Sequence, residues 1–289
     1  MPTLDNPVAF SLFGADIRWY AIFILTGIVA AILVAQWLAR RRGMNPHFIL
    51  DVAPPVVLGA IVGARLYYLL LQAGHYLDNP GDALNVRLGG LTIHGALAAG
   101  IAIFAYLCWR RGYRFLAWAD LVIAGVPIGQ AIGRWGNWAN QEAFGTPTDR
   151  PWAVTIAPDR RPAEYAASST FHPTFLYEGI LNLLIAGVLI WIVLRMPRSR
   201  WWREGDALWV YLMLYGAARF VIERVRTDSL YIGPLPAAYW LSFALVFGGL
   251  AMLALRHTVW PGRNADPYPD PTPTQPRAVE SGAPAPDGG

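Results

Sequence analysis

From Trp19 to Ala39 the chain runs for 21 residues without one charged side chain. A bilayer's hydrocarbon core is about 30 Å thick, and a helix needs roughly 20 mostly apolar residues to cross it. This stretch therefore predicts a membrane span. Six more follow: Ile49 to Leu71, Leu88 to Trp109, Leu121 to Trp138, Thr174 to Leu194, Ala207 to Ile222 and Ala237 to Leu255. Charged residues make up only 15% of the chain, against about 25% in soluble domains, too few to cover a water-facing surface. Aromatic residues at 13% exclude a disordered chain. The expected fold class is an all-α integral membrane protein with seven transmembrane helices over residues 1–260.

The arginines orient it. All 23 basic residues are arginine, and 12 fall in alternate connections: Arg40 to Arg42, then Arg110, Arg111 and Arg114, then Arg195, Arg198, Arg200 and Arg203, then Arg256 and Arg263. Positive residues near span ends favour the cytoplasm, so the N-terminus is expected outside and the C-terminus in the cytoplasm. A cleaved signal peptide would carry its positive charge before the apolar run; here Arg40 to Arg42 follow it and only Arg18 precedes it. Residues 143–171 are too polar and Pro-rich to span and are long for a loop, which predicts a small external subdomain between helices 4 and 5. Residues 261–289, rich in Pro, Gly, Ala and Asp, read as a disordered cytoplasmic tail. The single cysteine, Cys108, excludes an intrachain disulfide and a cysteine-built metal site. It reads as a small packing residue.

Several spans carry side chains that hydrocarbon disfavours. Counting 1.5 Å per residue, Arg65 lies about 24 Å along the second span, Arg134 about 20 Å along the fourth, and Arg219 and Glu223 about 18 and 24 Å along the sixth. His94 and Glu178 fall within two turns of the outer ends of their spans, and Tyr20 opens the first. Singly, each has an ordinary reading: an Arg near a helix end snorkels to the headgroups, a His packs, a Tyr belongs to the interfacial belt. Together they place seven such residues on six helices in the outer half of the membrane. An unpartnered mid-helix charge opposes insertion by about 2.5–3.5 kcal/mol. Arg219 and Glu223, one turn apart, can pair. Three arginines against two glutamates then leave a positive excess, and arginine grips phosphate bidentately. The residues point to an outer-leaflet phospholipid site.

The fourth span ends in Gly133-Arg134-Trp135-Gly136-Asn137-Trp138-Ala139-Asn140-Gln141-Glu142-Ala143-Phe144-Gly145. This G-R-x-G-N-x-x-N-x-E-x-x-G pattern resembles the signature of the bacterial prolipoprotein diacylglyceryl transferases. Shorter matches fall in order around it: Arg18-Trp19-Tyr20, Gly63-Ala64-Arg65, His94-Gly95-Ala96-Leu97, His172-Pro173-Thr174-Phe175-Leu176-Tyr177-Glu178 and Arg219-Phe220-Val221-Ile222-Glu223. The resemblance covers residues 10 to 257. Ala96 departs from it, standing where the family has a second Gly.

The resemblance implies a bacterial cytoplasmic-membrane enzyme with its active site toward the outer leaflet. It moves the diacylglyceryl group of phosphatidylglycerol onto the thiol of a lipobox cysteine, which follows the signal peptide of an exported prolipoprotein. Glycerol phosphate is released. The nucleophile belongs to the substrate, and the partners are these two substrates and membrane lipids. No nucleic acid, cofactor or metal is expected, and there is no ligand set at metal spacing.

Attack by sulfur on the glyceryl carbon leaves charge on phosphate, and donors placed where charge develops are typically the largest catalytic term. Arg134 and Arg219 are assigned to the phosphate. Asn137, one turn from Arg134, can donate to glycerol or phosphate oxygens, and Tyr20, Glu142 and Gly145 complete the expected phosphatidylglycerol site. The thiol, with a free pKa near 8.5, needs a base. His94 is the candidate because imidazole titrates near neutrality, with Glu142 and Glu223 as alternatives. Glu223 also serves as an orienter of Arg219, and Glu142 as an organiser of the turn. Gly136 and Gly145 are expected to allow close backbone approach or positive φ.

Three other classes compete. A transporter would carry charge through both membrane halves, whereas the inner halves here are apolar. An intramembrane serine protease needs a Gly-x-Ser-Gly in a span; Ser242 is flanked by Leu and Phe. A lipid receptor shares the composition, and only the signature argues against it.

Overall fold

The computed structural model describes residues 1–4, 6–84 and 89–260, so the tail reading for 261–289 and the Leu88 start of the third span lie outside the described residues. Among the described residues eight α-helices form: α1 (Trp19–Arg41), α2 (His47–Leu71), α3 (Ala73–Asp78), α4 (Ile93–Arg110), α5 (Phe115–Asn140), α6 (Thr174–Arg195), α7 (Asp206–Glu223) and α8 (Ala237–Thr258). Six of them, all but α3 and α7, are long and apolar enough to cross a membrane. Their outer faces expose large apolar side chains such as Leu25, Leu58, Leu70, Leu184 and Phe247. Water would disfavour such faces and hydrocarbon would not, so the chain is a multi-pass membrane protein. The expected sixth span, Ala207 to Ile222, forms α7. It stands apart from the other six because its 18 residues include three charges, Asp206, Arg219 and Glu223.

The chain divides into two compact units. Among the described residues, one comprises Met1–Arg42, Pro46–Leu50 and 116–260; the other comprises Gly43–Asn45 and Asp51–Phe115. In the larger unit, α1 and α5 cross where glycines let the backbones touch: a Cβ on Gly27 would lie 2.6 Å from the Gly129 carbonyl oxygen, and one on Gly125 2.5 Å from that of Ala31. Small residues at helix crossings permit this approach in membranes. Phe48 meets Trp118 edge-on at 4.6 Å, and Leu38, Leu121, Leu189 and Ile192 are buried in the same unit. α7 packs against α6 and α8. Its N-terminal end is fixed by Asp120 of α5, whose buried carboxylate accepts the backbone N–H of Gly205 at 2.6 Å and of Leu208 at 3.2 Å. Asp206, also buried, takes His257 at 3.0 Å. That anchoring leaves the C-terminal end of α7, with Arg219 and Glu223, for the site.

Residues 143–171 contain the two-residue strands β3 (Val154–Thr155) and β4 (Thr170–Phe171), which pair antiparallel. Backbone bonds widen this ladder on both sides: Thr155 N–H donates to the Met1 carbonyl at 3.0 Å, Thr148 N–H to Thr170 at 3.1 Å, and Thr146 N–H to Val225 at 2.7 Å. A small core of Phe144, Val154, Ile156, Phe171 and Phe175 lies under it. Two β-hairpins have no counterpart in the all-helical reading. β1 (Val8–Leu12) and β2 (Ala15–Arg18) turn at Phe13-Gly14, both with positive φ; β5 (Tyr231–Ile232) pairs with β6 (Leu235–Pro236) just before α8.

Candidate functional site

The site is built where α5 ends. Arg134 and Asn137, three residues apart, share a helix face, and Arg134 Nη1 donates to Asn137 Oδ1 at 3.3 Å. After Asn140 the backbone turns through two left-handed residues, Gln141 and Ala143, each with φ 54°. Few non-glycine residues adopt this conformation, and tertiary bonds hold it. Gln141 donates to the Leu4 carbonyl at 2.9 Å and accepts the Ala157 N–H at 2.8 Å, while the Thr174 hydroxyl donates to the Ala143 carbonyl. The turn folds Glu142 back onto α5, where it accepts the Asn137 amide at 2.9 Å.

On its other side Arg134 pairs through Nη2 with Glu178 of α6. The second oxygen of Glu178 takes Arg226 at 3.0 Å, and Arg226 grips Asp228 through Nε at 2.8 Å and Nη2 at 2.6 Å. A continuous polar chain results: Glu142, Asn137, Arg134, Glu178, Arg226, Asp228. Burial opposes the charge on Arg226. The bond and charge of Asp228, with the charges of Glu178 and Glu223, outweigh it and hold its pKa above the ordinary arginine value. On α7 Arg219 pairs with Glu223 at 2.7 Å, in the i,i+4 geometry expected, and Glu223 is buried. A small cavity of about 10 Å³ bordered by Glu178, Asn182, Tyr215 and Arg219 joins this pair to the chain.

Close approach explains both glycines, and neither has positive φ. A Cβ on Gly136 would lie 2.7 Å from the Tyr20 ring, so the glycine seats that tyrosine against α5. A Cβ on Gly145 would lie 2.5 Å from the Val225 carbonyl oxygen and 2.8 Å from His172 Cβ. Gly145 N–H bonds the His172 carbonyl at 2.9 Å, and the neighbouring Thr146 N–H bonds Val225. Backbone pairing thus fixes the residue before Arg226. Beside it His172 Nδ1 meets the Tyr177 hydroxyl at 3.0 Å, and Trp152 Nε1 donates to that hydroxyl at 2.7 Å. Burial and the Arg150 charge lower the His172 pKa below the usual histidine value.

Of the expected residues, the larger unit thus gathers Tyr20, Arg134, Asn137, Glu142, Gly145, Arg219 and Glu223, together with Glu178. His94 and Arg65 belong to the smaller unit. There the His94 ring lies 6.4 Å from that of Tyr67. Arg65 is buried. Its guanidinium donates to the carbonyls of Asp82 at 2.9 Å, Ala83 at 3.0 Å and Gly89 at 2.7 Å. The expected positive excess is also corrected. Arg134, Arg219 and Arg226 face Glu142, Glu178, Glu223 and Asp228, three positive against four negative groups. Counting within the apolar spans omits Glu142 and Asp228, which lie beyond the helix ends. Donor groups nevertheless remain on the arginines. A guanidinium has five N–H donors, and two of Arg134's and one of Arg219's are engaged among the described residues. Their side chains keep 24% and 21% exposure.

The family model described as prolipoprotein diacylglyceryl transferase matches residues 7–255. The chain belongs to this family. Relatives carrying the name phosphatidylglycerol–prolipoprotein diacylglyceryl transferase include one from Synechococcus elongatus, 41% identical over 87% of this chain and 88% of its own length. Another from Finegoldia magna is 38% identical over 85% of this chain and 93% of its own. A third from Thermotoga petrophila is 40% identical over 88% of this chain and 86% of its own. The transferase signature and the polar chain fall on the same residues, Arg134 and Asn137 of α5 and Glu142 just after it.

Sequence reasoning passed over Arg226, Asp228, Asn182 and Tyr215. Helical spacing could have found two of them: Asn182 stands one turn after Glu178, and Tyr215 one turn before Arg219. Arg226 and Asp228 follow the end of α7, and their role depends on backbone pairing between segments some 80 residues apart, which no local pattern announces.

Proposed function

We propose that the chain transfers the diacylglyceryl group of phosphatidylglycerol to the cysteine thiol of a prolipoprotein lipobox, the first step of lipoprotein maturation. A carbon–sulfur bond forms at the glyceryl carbon, the bond from that carbon to the phosphate oxygen breaks, and glycerol phosphate leaves with the electron pair. The observation that carries the reading is the meeting of Arg134 and Arg219, both partly exposed, around Glu178 in a chain of this family. Both guanidiniums have N–H groups left to take the phosphate as its charge grows. Asn137 orients Arg134 and keeps one amide hydrogen for a substrate oxygen. Tyr20, Glu142 and Gly145 shape the phosphatidylglycerol site. Glu223, buried behind Arg219, is a positioning residue. A base takes the thiol proton, and Glu142, bonded to Asn137 beside Arg134, is the candidate within the same unit.

The same reading places the protein in the bacterial cytoplasmic membrane. α7 serves as the seventh span, the N-terminus is outside, residues 143–171 form an external subdomain, and the site faces the outer leaflet. The arginine-rich connections that alternate along the sequence support this orientation. The test is mass spectrometry on a lipobox peptide mixed with the purified protein and phosphatidylglycerol. A gain of one diacylglyceryl group on the cysteine, with glycerol phosphate released, is expected. No mass change, from protein shown to be folded and lipid-bound, overturns the enzyme reading.

A further inference from the structure

A second, larger opening lies at the Gln141–Ala143 turn: a cleft of about 430 Å³ whose lining includes Gln141, Glu142, Asp159, Arg160, Thr227 and Asp228. Its volume falls within the range of small-ligand clefts, about 300–1,000 Å³. Both ends of the polar chain open onto it. Glu142 borders the cleft and bonds Asn137 beside Arg134; Asp228 borders it and holds Arg226 against Glu178. The Gln141–Ala143 turn, which lines the cleft, is held in left-handed backbone by the bonds of Gln141 and Thr174. All of these lining residues lie beyond the ends of α5 and α7.

We propose that this cleft receives the polar stretch of the acceptor that follows the reacting cysteine, and that it favours cationic over acidic side chains there. The inference rests on the transferase reading. An acceptor whose thiol reaches Arg134 carries its apolar signal segment in the membrane, so its polar continuation leaves on the side where the cleft begins. Three carboxylates, Glu142, Asp159 and Asp228, against one guanidinium, Arg160, disfavour a phosphate and favour a cation. Asp159 and Arg160 are paired at 3.4 Å, and both side chains are more than half exposed, so each can be changed without disturbing a core.

The test uses the full chain in lipid nanodiscs containing phosphatidylglycerol. Two acceptor peptides share one signal segment and lipobox and differ only in carrying Lys or Glu at the second to fourth residues after the cysteine. Charge interactions at exposed positions are modest, so the wild-type protein is expected to favour the Lys acceptor about three- to fivefold in kcat/KM. The preference should shrink as salt rises. Asp159→Lys is expected to bring the ratio near one, and Arg160→Glu to raise it. The opposite shifts distinguish a charge effect from loss of fold. A ratio unmoved by both variants overturns the proposal. A change confined to the KM for phosphatidylglycerol does so too, because it makes the cleft a headgroup site. If no acceptor gains a diacylglyceryl group from wild-type protein, the transferase reading itself has failed.

Discussion

Arg65 and Arg134 are both arginines within apolar helices, and they are held in opposite ways. Arg65, in the smaller unit, is buried under carbonyl oxygens of Asp82, Ala83 and Gly89, which occupy all three of its nitrogens. Arg134, in the larger unit, has one side-chain amide and one carboxylate as partners and keeps 24% of its side chain exposed. The first arrangement pins the chain between α2 and α4. The second keeps donors available to an anion. Buried charge alone therefore does not mark a reactive group; under the proposed function, the kind and number of its partners separates an arginine that builds from one that acts.

That contrast can be broken experimentally. The largest effect is expected from Arg219→Ala, which should lower transfer about 10²–10³-fold while the protein still inserts, as read by single-turnover mass spectrometry. Arg65→Met should do the reverse. Each buried carbonyl left without a donor costs about 1–3 kcal/mol, so the thermal midpoint falls, while the rate per folded molecule stays at the wild-type value. Glu178→Gln comes next. It removes the charge shared by Arg134 and Arg226 but keeps an acceptor, and the loss of charge assistance predicts about a tenfold fall in transfer. Gly145→Ala sharpens the comparison from the backbone side. The new Cβ meets the Val225 carbonyl, and overpacking of this kind destabilises by about 1–3 kcal/mol; the variant should lose thermal stability and part of its activity together.

The smallest effect concerns acid. Burial and Arg150 lower the His172 pKa, so the folded protein binds that proton less readily than the unfolded chain. The contribution to stability is complete above the ordinary histidine pKa of about 6.5. It is lost as pH falls through the lowered folded value. His172→Gln should flatten the decline in thermal midpoint between pH 7 and 5, and an unchanged decline would assign the acid sensitivity elsewhere.

The spans and the α5 signature were legible because both are local. Apolar length and helical spacing announce α1, α2, α5, α6 and α8, and the i,i+4 rule announces the Arg219–Glu223 pair. α7 was legible as a helix, but its three charges set it apart from its neighbours by composition. The partners of Arg65 could not be read, because backbone carbonyls leave no side-chain pattern. Nor could the charge balance of the site, because Asp228 and Glu142 reach it from beyond the helix ends. The left-handed turn at Gln141 and Ala143 was hidden for a related reason. Glycine ordinarily marks such turns, and here hydrogen bonds with Leu4, Ala157 and Thr174 hold residues that would not choose that backbone alone.

The most direct test of the account compares Arg134→Ala with Arg65→Met in nanodiscs, measuring diacylglyceryl transfer to a lipobox peptide per folded molecule. The account predicts that Arg134→Ala is folded and loses at least about 100-fold in rate, whereas Arg65→Met folds poorly and transfers normally once folded. Near-normal turnover by folded Arg134→Ala would contradict it.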